Sequence, residues 1–203
     1  MTYLVLDVET LPRRPPQKGM EWASPRDALV GNWIDAHKTV KPGLHPLFSE
    51  VAVISHAGFG VATHDALTEG GELGVLKRIS EFGSRPTLSR QDTLVTFNGF
   101  GFDLLMLNTR LALHGLPALP WDTNPWHHGQ GHYDVMLALS SQGKFPNPSL
   151  EVAYAWLIGD PPERPDLETA QAAWLKGDPV PLRTRCEADV RMTEALYRRL
   201  AGR

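Results

Sequence analysis

The residues from Thr2 to Thr10 read as a buried strand interrupted by acid. Five of the six residues from Tyr3 to Val8 are apolar or aromatic; Asp7 breaks the run and Glu9 follows two positions later. Such a run belongs to a central strand covered on both faces, where an isolated carboxylate is costly. Strand side chains alternate, so Asp7 and Glu9 share a face, about 7 Å apart along the backbone. Two carboxylates on one face at the end of a buried strand want a cation, and hard oxygen ligands suit Mg²⁺ or Mn²⁺. An exposed strand end with two solvated acids has the same spacing. Asp166-Leu167-Glu168 repeats it in a Pro-rich stretch with no strand before it, so context rather than spacing carries the reading.

The rest of the chain alternates strands with helices. A basic, Pro-rich loop from Leu11 to Gly19 holds Arg13, Arg14 and Lys18, a solvated loop with phosphate contacts as the alternative. Ser24-Pro25 reads as an N-cap and first turn, predicting a helix to about His37. Glu50–Ala57 is a strand, and Phe59–Thr63 a second one in a hairpin turning at Gly58 or Gly60. Leu73, Val75, Leu76, Ile79 and Phe82 give a helical period over 72–82. Ser84 to Asp92 is linker. Thr93–Phe97 is a short buried strand, and a helix runs from Phe102 to His114, closed by Gly115. A strand-to-helix junction is expected around Asp134. Further helices are expected from Ser149 to Ile158, Leu167 to Leu175 and Leu182 to Leu200. This order predicts a single α/β domain over residues 1–203, a mixed sheet flanked by helices.

The 203 residues suffice for one sizeable core, and the 42% hydrophobic and 21% charged fractions are ordinary for a globular protein. No apolar run approaches the ~18 residues a membrane helix needs, and no signal-peptide pattern opens the chain, so a cytoplasmic protein is expected. One cysteine, Cys186, excludes an internal disulfide and a Cys-rich zinc site. A net charge of −3 argues against strong non-specific duplex binding, yet permits an enzyme that grips one nucleic-acid end through metals.

Two further acids occupy marked positions. Asp103 falls in the first turn of the 102–114 helix, where the positive end of the helix favours an anion, as a cap or as a ligand. In the last helix Asp189 lies beside the apolar stripe, with Arg185 one turn earlier as its expected partner. Three separated segments thus place acids where they can meet: Leu6-Asp7-Val8-Glu9-Thr10, Phe97-Asn98-Gly99-Phe100-Gly101-Phe102-Asp103 and Cys186-Glu187-Ala188-Asp189-Val190. This ordered set resembles the DEDD superfamily of 3′–5′ exonucleases, which has a ribonuclease H-like fold. More narrowly it is similar to predicted exonucleases related to the proofreading domain of family B DNA polymerases. The stretch Leu44–Ile54 also resembles that group's strand entry.

The resemblance implies a ribonuclease H-like mixed sheet and hydrolysis of phosphodiester bonds at the 3′ end of single-stranded DNA or RNA, with DNA favoured. Asp7, Glu9, Asp103 and Asp189 would be the catalytic and metal-holding residues, with two Mg²⁺ or Mn²⁺ ions about 4 Å apart. Thr10, Leu11, Asn98 and Phe102 match positions expected to touch the terminal nucleotide. The sequence departs from the family at one point: the third motif's tyrosine or histidine is replaced by Arg185 or Thr184 respectively. Arginine cannot act as a base, but it can hold the scissile phosphate, or it can hold Asp189 away from metal. That leaves an exonuclease-like module binding nucleic-acid ends or a protein partner without turnover as the alternative. His127, His128, His132 and Asp134 lie within eight residues. Glycines separate them, and they read as a loop near the cleft rather than a zinc site. Asp134 reads as a support for the metal site or the cap of the following turn.

Overall fold

The structure, a computed structural model, describes residues 3–12, 45–46, 49–58, 61–83 and 93–202. The expected helix over Pro25–His37, the basic residues Arg13, Arg14 and Lys18, and the Ser84–Asp92 linker lie outside the described residues. So does part of the β-hairpin turn, including Gly60.

Five strands form one sheet: β1 (Tyr3–Pro12), β2 (Ser49–Ala57), β3 (Ala62–Asp65), β4 (Thr93–Thr96) and β5 (His132–Asp134), in the order β3-β2-β1-β4-β5. β2 runs antiparallel to both β1 and β3, while β4 is parallel to β1 and to β5. Among the described residues there are six α-helices: α1 (Glu72–Gly83), α2 (Asp103–Leu113), α3 (Val135–Leu139), α4 (Leu150–Leu157), α5 (Leu167–Trp174) and α6 (Val180–Leu200). None is long and apolar enough to cross a membrane.

Strand alternation in β1 organises the layers. Leu4, Leu6 and Val8 enter a core with Val75, Leu76 and Ile79 of α1 and Leu104, Leu107 and Leu111 of α2. Val5 enters a second core with Val190, Met192, Leu196 and Tyr197 of α6. The sheet is therefore covered on both faces, as its apolar run requires, and Asp7 and Glu9 fall on the α6 side. β4 pairs with β1 only over Tyr3 to Val5, so β1 extends well beyond its parallel neighbour. Its register with β2 shifts between Glu9 and Thr10, a local irregularity that strengthens twist and re-aims side chains.

Local chemistry explains the helix starts. The Ser149 hydroxyl caps α4 by accepting from Val152 N–H, and Asp166 caps α5 by accepting from Thr169 N–H. The second D-x-E pair of the sequence is thus a helix cap, and its spacing carries no metal chemistry.

One buried ion pair ties α1 to α2 and to β2. Glu72 accepts from Arg110 Nε at 2.7 Å and Nη2 at 2.5 Å, and from Val51 N–H at 2.7 Å. Burial pushes the Glu72 carboxyl up, but bonds from Arg110, Val51 and His114 outweigh it and hold it below the ordinary value of 4.5. Its contribution to stability is present above that value and lost as the pH falls through the lowered one. With side chains only 6% and 8% exposed, Arg110 and Glu72 cannot be separated cheaply. Arg110→Met should therefore cost about 3 kcal/mol or more in urea unfolding at pH 7, the range for stranding one partner of a buried pair.

Candidate metal centre

Three elements bring the acids together. β1 supplies Asp7 and Glu9 on its α6 side, and α6 supplies Asp189. One ligand oxygen from each of the three lies within 4.8 Å of the others, and among the described residues this is the only such group. Asp103, at the start of α2, stands outside that set of atoms. Its carboxyl accepts from the Val8 backbone N–H, and its charge is felt at Asp7.

The loop carrying Asp103 is held by Asp134. That buried carboxylate accepts from the N–H groups of Asn98 at 3.0 Å and Phe100 at 3.2 Å, and also caps α3 through Met136 and Leu137 N–H. Asn98 takes a left-handed conformation, φ 69°, and Gly99 follows against Thr96, whose Oγ1 would lie 2.1 Å from an added Cβ. Only glycine fits there. Asp134 therefore acts on the backbone of the 98–103 turn and as a cap at once.

The other sequence-predicted residues are placed as follows. Thr10 is buried, and Leu11 packs in a core cluster with Val53, Trp174, Leu182 and Cys186. Phe102 is partly buried against the α1–α2 core, and Asn98 is half-buried at the turn. The histidines form no metal site. His127 Nδ1 lies 2.5 Å from Asp122, His128 Nε2 donates to the Asp134 carbonyl, and His132 bonds Thr96 Oγ1 at 2.8 Å. Burial lowers His132 to about 4, so its ring is neutral and serves as internal structure.

Arg185 does not pair chiefly with Asp189, as helical spacing suggests. Its Nε donates to Glu9 Oε1 at 2.9 Å and its Nη1 to the Pro165 carbonyl at 3.2 Å, while Nη2 stays 3.9 Å from Asp189. The i, i+4 neighbour loses to a strand residue that lies directly opposite. Asp189 instead meets Arg164, from the Pro-rich turn before α5. Arg164 Nη1 donates to Asp189 Oδ2 at 2.7 Å and lies equally near Oδ1, without hydrogen-bond geometry there. Asp189 Oδ1 is left buried with no hydrogen bond. The other end of Arg164 pairs with Glu151. No periodicity or motif marks Arg164 in the sequence.

The electrostatics favour positive charge. Burial and then the charge of Asp189 push Asp7 well above its ordinary range, and burial and then Asp134 do the same to Asp103. Burial raises Glu9 to about 7 and Asp189 to about 6, although the neighbouring arginines pull both the other way. Acids that hold protons this strongly are acids short of cations. The donor set fits a hard divalent ion: carboxylate oxygens of three residues clustered within 4.8 Å of one another.

The sheet order and strand directions, with helices on both faces, define an α/β protein of ribonuclease H-like fold. The chain is similar in structure to the family B DNA polymerase from the hyperthermophilic archaeon Pyrobaculum calidifontis, at a TM-score of 0.62 and 20% identity. It covers 98% of this chain, which spans 24% of the polymerase chain. No protein-family model and no curated protein matches.

The raised Asp7 fixes the sign of a stability effect. A carboxyl more easily protonated in the folded state loses stability as the pH rises above 3.8, its ordinary value. In metal-free protein at pH 7, Asp7→Asn should raise the melting temperature by about 2–4 °C, as ~1 kcal/mol does in a domain of this size. The gain should shrink toward pH 4, and thermal scans across that range measure it.

Proposed function

We propose that this chain is a divalent-metal-dependent 3′–5′ exonuclease acting on single-stranded nucleic acid, DNA before RNA, releasing nucleoside 5′-monophosphates. The observation that carries the reading is the meeting of Asp7, Glu9 and Asp189 within 4.8 Å on a sheet with this fold. The segment of the polymerase it resembles would be the exonuclease domain.

Asp7, Glu9, Asp103 and Asp189 would hold Mg²⁺ or Mn²⁺, which supplies charge stabilisation at the phosphate and lowers the pKa of water. The chain contributes no tyrosine or histidine base at 185 or 184, and a guanidinium stays protonated. A guanidinium has five N–H donors, so Arg185 can grip the scissile phosphate while keeping its bond to Glu9. Asn98 and Phe102, on the turn that carries Asp103, would meet the terminal nucleotide, Phe102 by stacking. Thr10 and Leu11, at the end of β1, would contact it as well.

A second reading has its own observation. Arg185 on Glu9 and Arg164 on Asp189 already satisfy two of the acids, as in a module that binds nucleic-acid ends or a protein without turnover. A labelled single-stranded oligonucleotide with Mn²⁺ separates the two. Shortening from the 3′ end by wild type, abolished in Asp7→Ala, is the expected result; no shortening of DNA or RNA favours the binding module. Arg185→Tyr should raise turnover about a hundredfold or more if the missing base limits the reaction, the range a positioned general base contributes.

A further inference from the structure

The four acids divide into two unlike pairs. Glu9 and Asp189 each receive a guanidinium, from Arg185 and Arg164. Asp7 and Asp103 receive neutral donors instead: the Cys186 thiol at 3.2 Å from Asp7 Oδ2, and the Val8 N–H at Asp103. The nearby Asp134 spends its charge on four backbone N–H groups, and Glu151 spends its own on Arg164 at the surface.

Both arginines are anchored from outside the acid cluster. Arg185 holds the Pro165 carbonyl and Arg164 holds Glu151, and their side chains are only 18% and 8% exposed. Residues 164 and 165 belong to one turn, which thereby lies against α6 and the end of β1. Guanidinium groups fixed at both ends are resident charges. Displacing either would strand a buried acid and break a second contact. The three oxygens that do converge come from Asp7, Glu9 and Asp189, and Asp103 is not among them.

Resting on the exonuclease reading, we infer that Arg164 and Arg185 take the place of one of the two ions implied by the family resemblance, so that the site binds a single divalent cation beside Asp7. The two guanidinium charges neutralise Glu9 and Asp189. The charge left uncompensated is that of Asp7 and Asp103, which one divalent ion balances. The converging carboxylate oxygens, one each from Asp7, Glu9 and Asp189, would supply the ligands.

Calorimetric titration of the metal-free full chain with Mn²⁺ tests this without any turnover. The expected result is one Mn²⁺ per wild-type chain, and two in the Arg164→Gln/Arg185→Gln double variant, where neutral amides replace the resident charges. Two ions in wild type would overturn the inference and leave the exonuclease reading standing. No binding in wild type would overturn both. One ion in the folded double variant would also overturn it, since the arginines would then not be excluding the second. Should the double variant not fold, the electron paramagnetic resonance spectrum of wild type, loaded with excess Mn²⁺ and then freed of unbound ion, decides. An uncoupled Mn²⁺ signal supports a single ion, and a spin-coupled pair refutes it.

Discussion

Mutual repulsion among buried carboxylates is the constraint around which this molecule is arranged. β1 must be apolar on both faces to sit at the centre of the sheet, yet it carries Asp7 and Glu9 under α6, within reach of Asp189 and Asp103. Desolvation and like charge both disfavour ionisation there, and the raised proton affinities of all four acids record it. Two arginines, a thiol and the Val8 N–H oppose that repulsion, while Asp134 adds to it at Asp103 and Glu151 at Asp189. A chain selected for stability alone would place apolar side chains at these positions, since replacing buried ionic groups with well-packed apolar ones is often neutral or better. The cost is tolerated where charge serves a purpose, and functional sites are where local rules break.

That violation made the site legible in the sequence. Asp7 is conspicuous because Tyr3, Leu4, Val5, Leu6 and Val8 read as a strand covered on both faces, and alternation puts Glu9 on the same face as Asp7. Asp166-Leu167-Glu168 had the same spacing and lacked the apolar run, and it is a helix cap. The helices were legible from caps and periodicity: Ser149 starts α4, and Asp134 joins β5 to α3. Arg164 was invisible because nothing local distinguishes one arginine in Asp160-Pro161-Pro162-Glu163-Arg164-Pro165 from a solvated loop charge. Its partner lies 25 residues away, and the contact exists only through the packing of the turn on α6. The pairing of Arg185 failed for a related reason. An i, i+4 rule describes an isolated helix, and it yields when a strand carboxylate faces the same side chain at shorter range.

Fold and function stand on different footings here. A likeness at 20% identity establishes how the sheet and helices are laid out, and one architecture of this kind hosts many activities. Function must be argued from the acids themselves. The convergence of Asp7, Glu9 and Asp189 is informative because its parts are independent: β1 is placed by the sheet and Asp189 by the packing of α6, while Asp103 is held beside them by a turn that Asp134 and Gly99 fix. No single structural requirement would gather all of them.

The residue at position 185 sets the balance of charge in the cluster. A tyrosine there would contribute a proton acceptor and no fixed charge. Arg185 contributes a fixed positive charge and no acceptor, and its Nη1 ties it to the turn from which Arg164 reaches Asp189. The two arginines are therefore one device, joined through Pro165 and Arg164 in a single turn, and they act on the same half of the cluster. Charge has been added at Glu9 and Asp189 while Asp7 and Asp103 keep only neutral donors. That asymmetry leaves Asp7 and Asp103 as the acids without a cationic partner.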